Sequence, residues 1–192
     1  MPSPHAHRNR VRLIGGKWRS RLLTFPTAAG LRPTPDRVRE TLFNWLQPTV
    51  VGASCLDAFA GSGALGLEAL SRGAESVVAL ETDRAAMAAL RDNATRLEAE
   101  NFALFPADAL QWLARPATQR FDIVFLDPPF ASDLLASACQ LLDAHGWLRP
   151  NALLYLEAGQ SLGALPLPAH WECLRAKQAG EVHYGLLRAH SL

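Results

Sequence analysis

The sequence predicts an open α/β fold built on a mostly parallel sheet, and three features carry that expectation. From residue 54 onward short apolar runs alternate with helical patterns, the order produced when each strand is followed by a crossover helix. The runs are apolar at consecutive positions, as in strands that helices cover on both faces. The last two runs, 171–178 and 182–189, are joined by Ala179-Gly180 with no helix between them, which marks an antiparallel hairpin at the sheet edge.

The 192 residues, 49% hydrophobic and 19% charged, suffice for one core with a small appendage. We divide the chain into an N-terminal arm over 1–30 and a body over 31–192. No run of about 18 apolar residues occurs, and the basic, polar start lacks the apolar stretch of a signal peptide. A soluble, unexported, cytoplasmic protein is expected. Cys55, Cys139 and Cys173 lie far apart with no Cys-x-x-Cys spacing, and the histidines show no ligand spacing, so neither a disulfide nor a metal is expected. The net charge of +1 hides a split. Residues 1–39 carry nine Lys and Arg against Asp36 alone, whereas the remainder carries ten against seventeen acids. Clustered cations of this kind gain from counterion release on a polyanion, although a solvated basic terminus has the same composition.

Taken in order, the arm reads as a hairpin with strands over 11–14 and 18–25 around a tight turn at Gly15-Gly16. Arg10, Arg12, Lys17, Arg19 and Arg21 interleave with apolar residues there, and a strand period sends many of them to one face, a candidate RNA platform. Trp18 sits among them and suits either stacking on a base or packing. Thr34 followed by Pro35 reads as an N-cap with proline at the first helical position, before Val38, Leu42, Trp45 and Leu46 at helical spacing. Pro48 ends that helix. The body then alternates strand 55–59, helix 64–72, strand 76–80, helix 84–98, strand 103–105, helix 109–114, strand 121–126, helix 133–144 and strand 153–156. Gly73 and Gly146 are placed as helix stops.

The first body strand runs into Asp57-Ala58-Phe59-Ala60-Gly61-Ser62-Gly63-Ala64-Leu65-Gly66. Gly61-x-Gly63-x-x-Gly66 at a strand-to-helix turn brings backbone close to a nucleotide-like ligand. Glu81, at the end of the next strand, suits a ribose diol because a carboxylate accepts both hydroxyl protons. NAD and S-adenosylmethionine share that ribose, so these residues alone leave both open. Asp108 reads as a helix N-cap or as an acceptor for an adenine amine, and the two roles can coexist.

Asp127-Pro128-Pro129-Phe130, delivered by an apolar strand, separates the two cofactors. Paired prolines stiffen the turn and lack amide hydrogens, so it presents acceptors without donors. A base amine is a poor nucleophile because its lone pair is delocalised into the ring. Accepting its hydrogens at the Asp127 carboxylate and the Pro128 carbonyl frees that pair for an electrophile, while Phe130 can stack on the base.

Together these motifs resemble the class I S-adenosylmethionine-dependent methyltransferase fold. Nearly end to end, the chain resembles the RsmD family of bacterial 16S rRNA guanine-N2 methyltransferases. The family likeness rests on Arg12-Leu13-Ile14-Gly15-Gly16-Lys17-Trp18-Arg19, Gly30-Leu31-Arg32-Pro33-Thr34, Asp36-Arg37-Val38-Arg39-Glu40, the segments 57–66 and 121–130, and Ala179-Gly180 with Tyr184. The resemblance implies a Rossmann-like, seven-stranded sheet with an antiparallel last strand. It also implies methylation of the 2-amino group of guanine 966 in 16S rRNA, within the small ribosomal subunit or its precursor, by a monomer. Carried over, Asp57, Gly61 and Gly63 approach the methionine part of the cofactor, Glu81 the ribose and Asp108 the adenine, with Phe59 also counted as cofactor-binding. Asp127, Pro128, Pro129 and Phe130 hold the guanine. Arg10, Arg12, Lys17, Trp18, Arg19, Arg21, Arg32 and Arg37 are the RNA-binding candidates, although Arg32, Thr34 and Arg37 suit the cofactor mouth equally well. Alternatives with other substrates are an adenine-N6 or amide methyltransferase, an NAD-dependent oxidoreductase and a non-catalytic ribosome-assembly factor.

Overall fold

The computed structural model describes residues 8–27, 34–129 and 133–190. Arg32 and Phe130, with the rest of 28–33 and 130–132, lie outside the described residues. Strands β1 (Arg8–Arg12) and β2 (Leu22–Pro26) pair as an antiparallel hairpin, followed by α1 (Asp36–Leu46). The body runs β3 (Ser54–Asp57), α2 (Ala64–Ser71), β4 (Ser76–Glu81), α3 (Arg84–Leu97), β5 (Phe102–Pro106), α4 (Ala109–Leu113), β6 (Phe121–Leu126), α5 (Leu134–Ala144), β7 (Leu148–Ala158), β8 (Trp171–Ala179) and β9 (Val182–Ala189). These strands form one seven-stranded sheet in the order β5-β4-β3-β6-β7-β9-β8.

Strands β3 to β7 are mutually parallel, as the alternating pattern requires. Strand β9 runs antiparallel between β7 and β8, so the final hairpin inserts its second strand into the sheet and leaves β8 at the edge. Along β6 the side chains alternate between two cores. Ile123 and Phe125 join Phe43, Cys55 and Tyr155 beneath α1, α2 and the hairpin, while Val124 and Leu126 meet Leu135, Ala138 and Leu142 of α5. This two-sided burial is the reason the strands read as continuous apolar runs. Among the described residues no helix is long and apolar enough to cross a membrane.

Three local expectations are corrected. Gly15-Gly16 does not form a two-residue turn. The last paired residues are Arg12 and Leu22, and the chain between them folds through a short 3-10 segment, Gly16–Trp18. Contacts to α2 set this longer connection: the amides of Ile14 and Gly15 donate to the Glu68 carboxylate at 2.7 and 2.8 Å, and the Trp18 amide donates to Ser71 Oγ at 2.9 Å. Gly16 is required for a different reason. At φ +73° an added Cβ would stand 1.8 Å from the Ser71 carbonyl oxygen.

Thr34 does not cap α1. Pro35 occupies the N-cap position without a side-chain bond, and the Thr34 hydroxyl turns toward the sheet. Strand β7 is longer than the expected 153–156, because its exposed first half, with Arg149, Pro150 and Asn151, reads as loop in sequence but pairs with β6 through Phe121 and Leu148.

Candidate active site at the carboxyl ends of the strands

Five acids lie at or just beyond the carboxyl ends of five adjacent parallel strands. In the spatial order β5-β4-β3-β6-β7 they are Asp108, Glu81, Asp57, Asp127 and Glu157. The carboxyl edge of an open α/β sheet is where ligands bind, because the helices that follow point their N-termini there. A row of acceptors at that edge favours a cationic or hydrogen-donating ligand.

The glycine-rich loop links β3 to α2 at the middle of the row. Gly61 and Gly63 take φ of +50° and +77°, and a Cβ on Gly63 would strike Leu90 at 2.5 Å. Gly66 lies against β3 and β4, where a Cβ would meet Val77 at 3.0 Å and the Asp57 carboxylate at 3.1 Å. The loop is held by the acids beneath it. Glu81 accepts from Gly61 N and, with its other oxygen, from the amides of Thr82 and Asp83, each at 2.8 Å. Asp57, buried, accepts from Gly66 N at 3.0 Å. Burial pushes its carboxyl up to about 7, against the lowering effect of the Gly66 and Phe59 amides and helped by the charge of Glu81. Phe59 is half-buried against the α4 and α5 core. Asp108 caps α4, accepting from Gln111 N at 2.9 Å, and is exposed.

Asp127 is half-buried at the end of β6, with Pro128 buried and Pro129 exposed after it. The structure brings to it Tyr155 and Glu157, which sequence reasoning did not single out, and Thr34, which it read as a helix cap or as part of the cofactor mouth. Thr34 Oγ1 lies 3.3 Å from Asp127 Oδ2 and 2.7 Å from Glu157 Oε1, and the Tyr155 hydroxyl donates to the same Glu157 oxygen at 2.7 Å. Glu157 is 3% exposed. Desolvation and the nearby Glu157 charge hold the Asp127 carboxyl well above its usual range, while the Thr34 hydroxyl lowers it. Desolvation likewise raises Glu157, against the two hydroxyls that favour its ionised form. A signal for Glu157 existed in the sequence: Leu154-Tyr155-Leu156-Glu157 repeats the pattern of an apolar strand ending in an acid seen at Asp57, Glu81 and Asp127.

Arg10, Arg12, Lys17, Arg19, Arg21 and Arg37 are all exposed. Only Arg10 and Arg12 lie on a strand face, opposite the buried Val11; Lys17, Arg19 and Arg21 come from the long connection. Trp18 is 8% exposed and sits in the core shared with α1 and α2, with Lys17 Nζ 4.3 Å from its ring centroid. The ring packs in that core, in keeping with one of its two readings. Arg39 is fully buried and ties the arm to the site: its Nη2 donates to the Arg12 carbonyl at 2.8 Å and its Nε to the Thr34 carbonyl at 3.1 Å.

The sheet order, the glycine loop into α2 and the inserted antiparallel strand define the class I methyltransferase fold. A curated relative from Escherichia coli strain K12, Ribosomal RNA small subunit methyltransferase D, is 49% identical over 182 residues, covering 95% of this chain and 91% of its own. The protein of the same name from Haemophilus influenzae is 45% identical, covering 96% of each chain. The solved structure of Escherichia coli yhhF superposes with a TM-score of 0.88 at 45% identity, covering 96% of this chain and 100% of the other. The chain belongs to the family described as conserved hypothetical protein 95, whose model matches residues 11–188, and the resemblance read from the motifs is thereby shown.

Proposed function

We propose that this protein methylates the exocyclic 2-amino group of one guanine in small-subunit rRNA, position 966 in 16S numbering, with S-adenosylmethionine as the methyl donor. The observation that carries the reading is the acceptor-only turn at Asp127, Pro128 and Pro129, set one strand away from the glycine loop on the same sheet edge. The names of the relatives support rRNA as the substrate class. With such a substrate the protein works in the bacterial cytoplasm, on free small-subunit RNA or its particle.

The site suits the donor. S-adenosylmethionine is cationic at sulfur and at its ammonium, and it carries a ribose diol and an adenine amine. Asp57 with the Gly61 and Gly63 backbone serves the methionine end, Glu81 the diol and Asp108 the adenine, so each donor group meets an acceptor. Bound there, it would supply an electrophilic methyl with its sulfur as the leaving group, and the amine that accepted the methyl would carry one proton in excess.

The chain's own residues do the rest. The Asp127 carboxylate and the Pro128 carbonyl accept the two amine hydrogens, which turns the nitrogen lone pair out of conjugation and stabilises the positive charge that develops there. Phe130 stacks on the guanine, and the stiff prolines hold the amine in line. A base inside a helix must leave its stack to reach this edge. Arg10, Arg12, Lys17, Arg19, Arg21, Arg32 and Arg37 hold the RNA backbone.

Methyl transfer to unmodified small-subunit RNA or particles tests this. The wild type is expected to modify the 2-amino group of that guanine, and Asp127→Ala to lower kcat by about 100-fold or more while RNA affinity stays. Cofactor binding without methylation of that guanine overturns the reading.

A further inference from the structure

Behind Asp127 stands a polar chain that the role of amine acceptor leaves unused. A threonine hydroxyl has one proton and can donate it in only one direction at a time. Thr34 Oγ1 faces two carboxylates, Glu157 at 2.7 Å and Asp127 at 3.3 Å. When its proton points to Glu157, its lone pairs face Asp127, an arrangement that is favourable only if Asp127 is protonated. When the proton turns to Asp127, Glu157 keeps the Tyr155 hydroxyl. Rotation of one hydroxyl therefore ties the protonation of Asp127 to the hydrogen bonding of Glu157. Among the described residues neither carboxylate has a Lys or Arg ion-pair partner, so the two compete for protons rather than being neutralised by cations.

We propose that Glu157, acting through Thr34, is a positioning residue that prepares Asp127 to take up the proton the methylated amine must release. The proposal rests on the amine-methyltransferase reading above. Once the N–C bond has formed, the excess proton passes from nitrogen to an Asp127 carboxylate oxygen, leaving a neutral methylamine and a neutral carboxylic acid. Thr34 turns its hydroxyl proton to Glu157 as this happens, and Asp127 returns the proton to solvent once product has left. The high proton affinity of Asp127, raised by burial and by the Glu157 charge, matches such a task. The groups that face this chain are Asp57 from β3, Tyr155 and Glu157 from β7, Tyr184 from β9 and Thr34 ahead of α1.

Two near-isosteric substitutions push the Asp127 equilibrium in opposite directions. Glu157→Gln removes a like charge but keeps an acceptor for Thr34 and Tyr155, so Asp127 becomes more acidic. Thr34→Val removes the hydroxyl that stabilises ionised Asp127, so Asp127 becomes less acidic, and Thr34→Ser restores it. Carboxyl carbon NMR titration of the protein without substrate reads these shifts directly. The acidic limb of the kcat–pH profile is expected to follow them, downward in Glu157→Gln and upward in Thr34→Val, with KM for RNA unchanged. Unmoved titrations, or shifts of one sign in both variants, overturn the inference while leaving the methyltransferase reading intact. Opposite shifts in a wild type that does not methylate rRNA overturn the substrate reading and the proton uptake with it.

Discussion

Glu68 on α2 and Glu157 on β7 are both carboxylates taken out of water, one under the arm and the other beside the candidate site. Glu68, fully buried, accepts from the Ile14 and Gly15 amides and from Arg72 Nε at 2.7 Å, with Arg39 Nη1 at 3.6 Å. Glu157 has two hydroxyls for company and a second carboxylate beyond one of them. Burial alone does not decide what an acid does. Surrounded by cations and amides it becomes a fixed joint, and here the joint fastens the hairpin to the body. Beside neutral hydroxyls that only partly offset its desolvation, the Glu157 carboxyl stays raised, which suits a group that acts on the protonation of its neighbour Asp127.

The sharpest way to break this comparison is to remove the joint. Glu68→Ala leaves Arg72 and the Ile14 and Gly15 amides without their shared partner, while Arg39 keeps Asp36 at 2.6 Å, and is expected to cost about 3–5 kcal/mol in urea unfolding. A loss under 1 kcal/mol would show that the cluster is incidental. A smaller effect concerns Asp57, a buried acid held by the Gly66 and Phe59 amides. Its folded-state value of about 7 lies above its ordinary 3.8, so between those values the folded protein holds a proton that the unfolded chain has released. Stability therefore declines as pH rises across that window and levels off above it. Asp57→Asn is expected to narrow the difference in Tm between pH 5 and pH 8, and an unchanged difference would remove Asp57 as its source. The smallest effect on stability belongs to the exposed cations. Neutralising Arg10, Arg12, Lys17 and Arg19 together is expected to alter folding by only about 0.5 kcal/mol per site. The same change lowers the salt slope of RNA binding by about 0.7–0.9 for each lost phosphate contact, and an unchanged slope would leave the arm a solvated terminus.

Most of the fold was legible because its signals are local. Strand β6 and both strands of the final hairpin begin where the apolar pattern places them, and the glycine loop sits at its expected strand-to-helix turn. The paired Asp-Pro-Pro motif likewise follows from neighbours in sequence. What stayed hidden depends on partners far along the chain. Thr34 and Glu157 are 123 residues apart, Ile14 and Glu68 are 54 apart, and no periodicity reports such pairs. Thr34 looked like a cap because the local rule for Thr-Pro is a sound one. The carboxylates of β7 and β6 had the stronger claim on its hydroxyl. Trp18 was ambiguous for the same reason, since its burial depends on α1 and α2.

The insertion of β9 between β7 and β8 has a consequence for the order of assembly during synthesis. Strand β7 has no neighbour on its far side until β9 arrives, and β9 emerges from the ribosome after β8. Tyr184 of β9 then pairs with Glu157 in register and packs its ring against Tyr155 and Trp45. A nascent chain that has already made every carboxylate of the row still lacks the wall behind Glu157, so a competent site is closed only by a strand translated after the whole row.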